Sequence, residues 1–163
     1  MSSGGKVCIR RAGRRIALVA APEWKIRPLR RGDRDGAFAL LSEAGYEVAP
    51  NERANIVAWV CSHPEMEAFL AVDAFDKALG LISLSHRPQL RLGGRGGSLD
   101  AFYVAVAARR KGIGTALLQQ VLVRTQALGC RRVEITVPRE LDIERRLLEK
   151  VGFGVLDDLV LKR

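Results

Sequence analysis

Apolar and polar residues alternate along this chain in two rhythms, and the change from one to the other outlines its elements. Residues 25–29, KIRPL, read as a short strand, with Pro28 tolerable at a strand end. Asp33 is placed to cap a helix through AFALLSEAG, which Gly45 would stop. Ala54, Val57, Ala58 and Cys61 recur at helical spacing and predict a second helix over 51–61. EAFLAVD (67–73) and ALGLISLS (78–85) read as two strands joined across FDK, a hairpin. RLGGRGG, with its glycines, reads as a mobile loop, and SLDAFYVAV (98–106) as the next strand. A helix is predicted over 112–128, with Gly129 in the position of a C-cap. A strand over 132–137, a helix over 141–151 stopped by Gly152, and a short terminal hairpin over 154–162 complete the order.

That order, β-α-α-β-β-β-α-β-α-β, predicts an α/β chain of the α+β kind. Strand–helix–strand units near the end imply parallel strands, and the hairpin before them implies antiparallel ones. The expected result is a mixed, mostly antiparallel sheet flanked by helices.

Composition narrows this. With 163 residues, 48% of them apolar, one domain with a full core is expected over 24–163. Residues 1–23 are then a basic arm or an extra strand. Their IALVAA run is at or below the lower length limit for a secretion signal, and no window reaches the ~18 apolar residues of a membrane helix. Cys8, Cys61 and Cys130 are an odd number with no close pair, which argues against a disulfide framework or a zinc site and for a reducing cytoplasm. His63 and His86 are isolated in sequence and are expected to be structural or on the surface; no metal is expected.

The formal charge of +9 attracts polyanions in general. The cations are scattered, however, and neither an aromatic RNA-binding strand nor a zinc-finger pattern appears, which disfavours nucleic acid. A compact anion fits better. In VAVAARRKGIGTALL (104–118), Arg109, Arg110 and Lys111 stand directly before Gly112 and Gly114, where a strand meets a helix. A helix start presents unpaired N–H groups and partial positive charge, and glycines let a ligand approach the backbone. With three cations beside it, a pyrophosphate is the implied ligand. The competing reading is that the glycines only let a helix start close to the sheet. The spacing matches neither G-x-x-x-x-G-K-S/T nor G-x-G-x-x-G.

Arg109-x-x-Gly112-x-Gly114 after an apolar strand resembles the acetyl-CoA motif Q/R-x-x-G-x-G/A of the GNAT superfamily of N-acetyltransferases. LLEKVGF (147–153) is similar to the late L-Y-E-K-x-G-F segment of that superfamily, and Ile26 to Leu29 followed by a helix to its opening. The resemblance covers about 24–163. It implies a GNAT fold and transfer of acetyl from acetyl-CoA, the cosubstrate, to a primary amine by direct attack in a ternary complex. It also implies that the backbone amides of Arg110, Lys111, Gly112, Ile113, Gly114 and Thr115, with Arg109 opening the loop, hold the pyrophosphate. Backbone groups of Val104 and Val106 are expected to pair with the pantetheine arm as an added strand. The Val104 N–H is expected to stabilise the developing oxyanion.

Asp100 and Glu134 are the candidates for taking the amine proton; Asp100, four residues before Val104, is expected on the same strand face. The tyrosine acid of the superfamily falls at Leu148, and its frequent asparagine at Leu141, so neither role carries over. Water, or another group such as Tyr103, would have to protonate the thiolate, or the chain is a CoA-binding sensor with weak or lost catalysis; the parity of Tyr103 points to packing. A third reading is a polyanion-binding protein. The acceptor pocket is expected from AGYEVAPNERAN (44–55) and HRPQLRLGGRGG (86–97), whose mixed charges leave the amine, small or on a protein, unassigned. The expected partners are therefore acetyl-CoA and that amine, without a membrane, and a homodimer is admissible.

Overall fold

The computed structural model describes residues 7–12, 15–20, 23–135 and 142–154. Its elements are β1 (Val7–Ala12), β2 (Arg15–Ala20), β3 (Trp24–Pro28), α1 (Arg34–Glu43), α2 (Pro50–Ser62), β4 (Met66–Asp73), β5 (Ala78–Gln89), β6 (Gly94–Val104), α3 (Ile113–Ala127), β7 (Cys130–Ile135) and α4 (Asp142–Lys150). β1 and β2 form a two-stranded antiparallel sheet. The other strands form one mixed sheet in the order β3-β4-β5-β6-β7, antiparallel except for the parallel β6–β7 pair. Residues 155–162 of the expected terminal hairpin, Thr136 and Val137 of the strand predicted over 132–137, and Leu141 lie outside the described residues.

Each face of the sheet has its own core because strand side chains alternate. Phe69, Ala71, Ile82, Leu84 and Leu99 pack against Ile113, Leu117, Leu118 and Val121 of α3 and Leu148 of α4. Ala68, Leu70, Val72 and Leu81 pack against Leu40 of α1 on the other face. Ile82, Leu117, Leu118 and Val121 are wholly buried, each contributing roughly 1.5–3 kcal/mol.

Four expectations change. RLGGRGG is not a mobile loop: Leu90–Leu92 make one 3₁₀ turn, and β5 and β6 run on as a hairpin through Gln89 and Gly94. The glycines serve close packing instead. A Cβ on Gly96 would meet the Gln89 amide within 3 Å, one on Gly94 would meet Arg131 at 2.8 Å, and one on Gly97 would meet Leu84 at 3.2 Å. β6 also stops at Val104, two residues early; Val106–Ala108 form a 3₁₀ turn.

Asp33 does not cap α1. Its carboxylate takes both terminal nitrogens of the buried Arg27, at 2.7 and 2.8 Å, and the Arg30 N–H at 2.7 Å. The hydrogen bond from Arg27, and then that from the Arg30 backbone, hold Asp33 below the usual carboxylate range. The pair thereby ties edge strand β3 to the entry of α1.

Lastly, β6 carries a bulge. Ile82 faces Phe102 and Leu84 faces Leu99, so Asp100 and Ala101 together oppose Ser83, whose Oγ accepts the Ala101 N–H at 2.9 Å. Leu99, Phe102 and Val104 pack on the α3 side, whereas Ala101 and Tyr103 pack on the α1 side. The alternation slips between Leu99 and Phe102, so the even spacing of Asp100 and Val104 does not establish a shared face.

Candidate active site

The bulge marks a change in the company β6 keeps. From Arg95 to Leu99 it pairs with β5 on one side and with β7 on the other. Leu99–Ile135 is the last β6–β7 pair, and beyond it β6 pairs with β5 alone among the described residues. The Ala105 N–H bonds the Leu79 carbonyl and the Ala101 N–H bonds Ser83, both toward β5. Alternation therefore turns the N–H groups of Phe102 and Val104 toward the open edge. An extended ligand can add there as a strand.

The open edge leads into the glycine loop. Arg109 is extended, Arg110 is left-handed at φ 65°, and Gly112 is left-handed at φ 79°. Such alternation draws successive N–H groups to one side, making a concave seat for an anion. Among the described residues, no bond from the amides of residues 110–115 to a backbone or side-chain acceptor is seen, and α3 starts without a side-chain cap. Arg110 and Lys111 are exposed beside it. The two glycines differ. A Cβ on Gly112 would meet open space, so its role is conformational, whereas one on Gly114 would lie 2.9 Å from Leu147 Cδ2. Gly114 therefore lets α3 approach α4 and the sheet, since the same Cβ would lie 3.5 Å from Phe102 and 3.6 Å from Val104.

Three side chains brace this junction. The Arg109 Nε donates to the Val104 carbonyl at 3.2 Å, and its guanidinium lies 5.5 Å from the centre of the Tyr103 ring. Glu43 Oε1, at the end of α1, accepts the Val106 N–H at 2.8 Å and the Tyr103 hydroxyl at 3.4 Å. Val106 thus does not extend the open edge: its N–H is bound by Glu43, and its carbonyl accepts the Arg109 N–H at 3.3 Å. Burial, with the Glu43 carboxylate next to it, raises the Tyr103 phenol. Tyr103 packs on the α1 side, as its parity indicated. No motif points to Glu43; its role follows from a contact across 63 residues.

Of the two candidate carboxylates, Asp100 sits exposed in the bulge, and no hydrogen bond or ion pair to its side chain is seen among the described residues. Glu134 stands opposite Ser98, one row below the last β6–β7 pair, and its Oε1 is 2.6 Å from Arg132 Nε. The Leu99–Ile135 row, the last β6–β7 pair among the described residues, lies between them. Leu148 is buried in the α3-side core, 5% exposed, so its position is one of packing.

Glu134 also lines a groove of about 420 Å³ with His63, Met66, Ser85, Gln89 and Ser98. Of the segments expected to shape an acceptor pocket, 86–97 contributes and 44–55 does not. Arg53 in the latter instead bonds the Val48 carbonyl and covers the Phe38 ring.

The acetyltransferase (GNAT) family matches residues 34–153. The chain belongs to the GNAT acetyltransferase family. Its fold is that of solved acetyltransferases. An acetyltransferase of Trypanosoma brucei shares 20% identity at TM-score 0.72, covering 86% of this chain and 99% of that one. Glucosamine-6-phosphate N-acetyltransferase from Arabidopsis thaliana also shares 20% at TM-score 0.72, covering 86% and 97%. An aminoglycoside N-acetyltransferase in complex with CoA shares 16% at TM-score 0.76, covering 86% and 93%. A search of curated protein sequences finds no match. No helix among the described residues is long and apolar enough to cross a membrane.

Proposed function

We propose that this GNAT protein is an acetyl-CoA-dependent N-acetyltransferase acting on a primary amine. One observation carries the reading: a loop whose amides have no acceptor among the described residues, bent by left-handed Arg110 and Gly112, continues directly from the edge of β6 that pairs with β5 alone among them. The amides of residues 110–115 would hold a pyrophosphate, with Arg110 and Lys111 neutralising it. When bound, acetyl-CoA supplies an acyl group on a good leaving group, since a free thiol titrates near ~8.5.

The chain's own groups divide the remaining work. Phe102 and Val104 offer backbone groups to the pantetheine arm, and the Val104 N–H donates to the acyl oxygen as charge develops. Asp100, or Glu134 through Ser98 or water, takes a proton from the amine. A water protonates the departing thiolate, because Leu148 has no proton to give and Tyr103 turns to the other face. Residues 24–163 act as one catalytic domain, in the cytoplasm.

Calorimetry with acetyl-CoA, followed by turnover across an amine panel, tests this. Asp100→Asn and Glu134→Gln are expected to separate, one losing roughly 10²–10⁴-fold in kcat and the other far less. If CoA gives no heat with folded protein, the reading fails. The buried Leu148 favours a second reading, a CoA-binding module without turnover. That reading predicts normal binding heat and no acetylated amine.

A further inference from the structure

Strand register places two unlike rows of side chains at the 420 Å³ groove, all of them lining it except Arg132. Met66, Ser85, Ser98 and Glu134 are cross-strand neighbours from β4 to β7. One step further from the open edge, Arg87, Gly96 and Arg132 are neighbours on β5, β6 and β7. The first row ends on a carboxylate beside the last β6–β7 pair among the described residues; the second brings the Arg87 guanidinium and a glycine to the groove, with Arg132 outside its lining. At Gly96, which has no side chain, the Gln89 amide lies over the backbone. Arg87 is exposed, with no ion pair seen to it among the described residues, while Arg132 reaches Glu134. Glu65, the other acid of the groove, lies 3.9 Å from Arg95.

We propose that the acceptor is a small amine that also bears an anionic group, a carboxylate or a phosphate. This rests on the acetyltransferase reading. The amine lies toward Glu134 and Ser98, and the anion lies against Arg87 and the Gln89 amide. The separation it requires is one two-residue step along a strand, about 7 Å. A groove of this volume suits a small molecule. Uncharged amines would leave Arg87 without a partner, and polyamines would meet it with like charge. In the transfer the N–C bond forms as the C–S bond of the thioester breaks. Of the two protons an ammonium nitrogen gives up, one ends on the sulfur and one in solvent.

Matched acceptors test this: 6-aminohexanoate against its amide, 2-aminoethyl phosphate against ethanolamine, and a short peptide with a free N-terminus. We expect kcat/KM to favour the anionic member at least tenfold in one pair or both, the larger ratio telling carboxylate from phosphate. Arg87→Glu should erase that preference, chiefly through KM, and Arg87→Lys should restore part of it. The proposal is overturned if the uncharged members or the peptide serve as well, or if Arg87→Glu leaves the ratios unchanged. Calorimetry of the same amines into CoA-saturated protein measures binding without turnover. Heat favouring the anionic member, lost in Arg87→Glu, upholds the groove assignment even where no amine is acetylated, a result that would count against the acetyltransferase reading alone. Equal or absent heats for both members sink the groove assignment and leave that reading standing.

Discussion

The two halves of β6 are one strand under opposite rules. From Arg95 to Leu99 it is hydrogen-bonded on both sides and rich in glycine, with neighbouring side chains filling the space above it. From Asp100 to Val104 it carries larger side chains, yet it pairs on one side only among the described residues. An open edge ordinarily invites unwanted pairing. Among the described residues it is open where it leads to the amides of residues 110–115, for which no acceptor is seen. The bulge at Asp100 and Ala101 is the hinge between the halves. The lower half builds the sheet and the groove floor, and the upper half is where the proposed strand-like cofactor would pair.

Proline substitution separates the halves most sharply. Gly97→Pro removes an N–H from the doubly paired half and sets ring atoms where even a Cβ would come 3.2 Å from Leu84. We expect it to destabilise the fold by about 3 kcal/mol or more, read from urea unfolding. Val104→Pro removes an N–H that faces the open edge, a place where proline is tolerated. It should leave most of the stability intact and lower kcat roughly 10²–10³-fold. If Val104→Pro turns over like the parent, this N–H has no part in catalysis; if it unfolds, the edge is not open.

The contrast between the halves was only partly legible in the sequence. The helical rhythm into α3, the β4–β5 alternation and the loop of Arg109 to Gly114 are local patterns, and they point to the fold and to the candidate anion loop. What escaped depends on distant partners. Four glycines in seven residues look like a loop unless Gln89, Arg131 and Leu84 are known to fill the space above them. The bulge needs Ser83, 18 residues away, to take the Ala101 N–H, and one extra residue there defeats any parity argument about Asp100. Asp33 reads as a local cap, but a buried arginine on β3 offers it a charged, two-pronged partner, which outweighs a single cap bond.

A smaller effect probes how the upper half is held. Glu43 joins the end of α1 to the Val106 N–H and the Tyr103 hydroxyl, so it fixes where the open edge turns into the loop. Glu43→Ala should raise KM for acetyl-CoA about fivefold to tenfold with little change in kcat, a loss on the scale of one charge-assisted hydrogen bond. Glu43→Gln keeps an acceptor oxygen and should recover most of it. An equal fall in kcat for both variants would instead place Glu43 among the groups that meet the reacting atoms.

The smallest effect lies at the foot of the lower half. His86 on β5 is only 3% exposed; its Nδ1 faces Arg95 on β6 at 3.0 Å, and its Nε2 has no hydrogen-bond partner among the described residues. Glu67 on β4 is 3.9 Å from that nitrogen but is itself held at 2.7 Å by Arg124 of α3, and Glu65 lies 3.9 Å from Arg95. Burial first, and then the Arg95 charge, lower the imidazole below its ordinary 6.5 despite the two carboxylates. The sign follows. Below about pH 6.5 the unfolded chain takes up a proton that the folded protein refuses, so stability falls with pH until the lowered value is reached. Urea midpoints taken between pH 7.5 and 5.5 should therefore decline, and His86→Gln should flatten the decline while leaving CoA binding in the upper half intact. A variant that keeps the full slope would move the titrating group elsewhere.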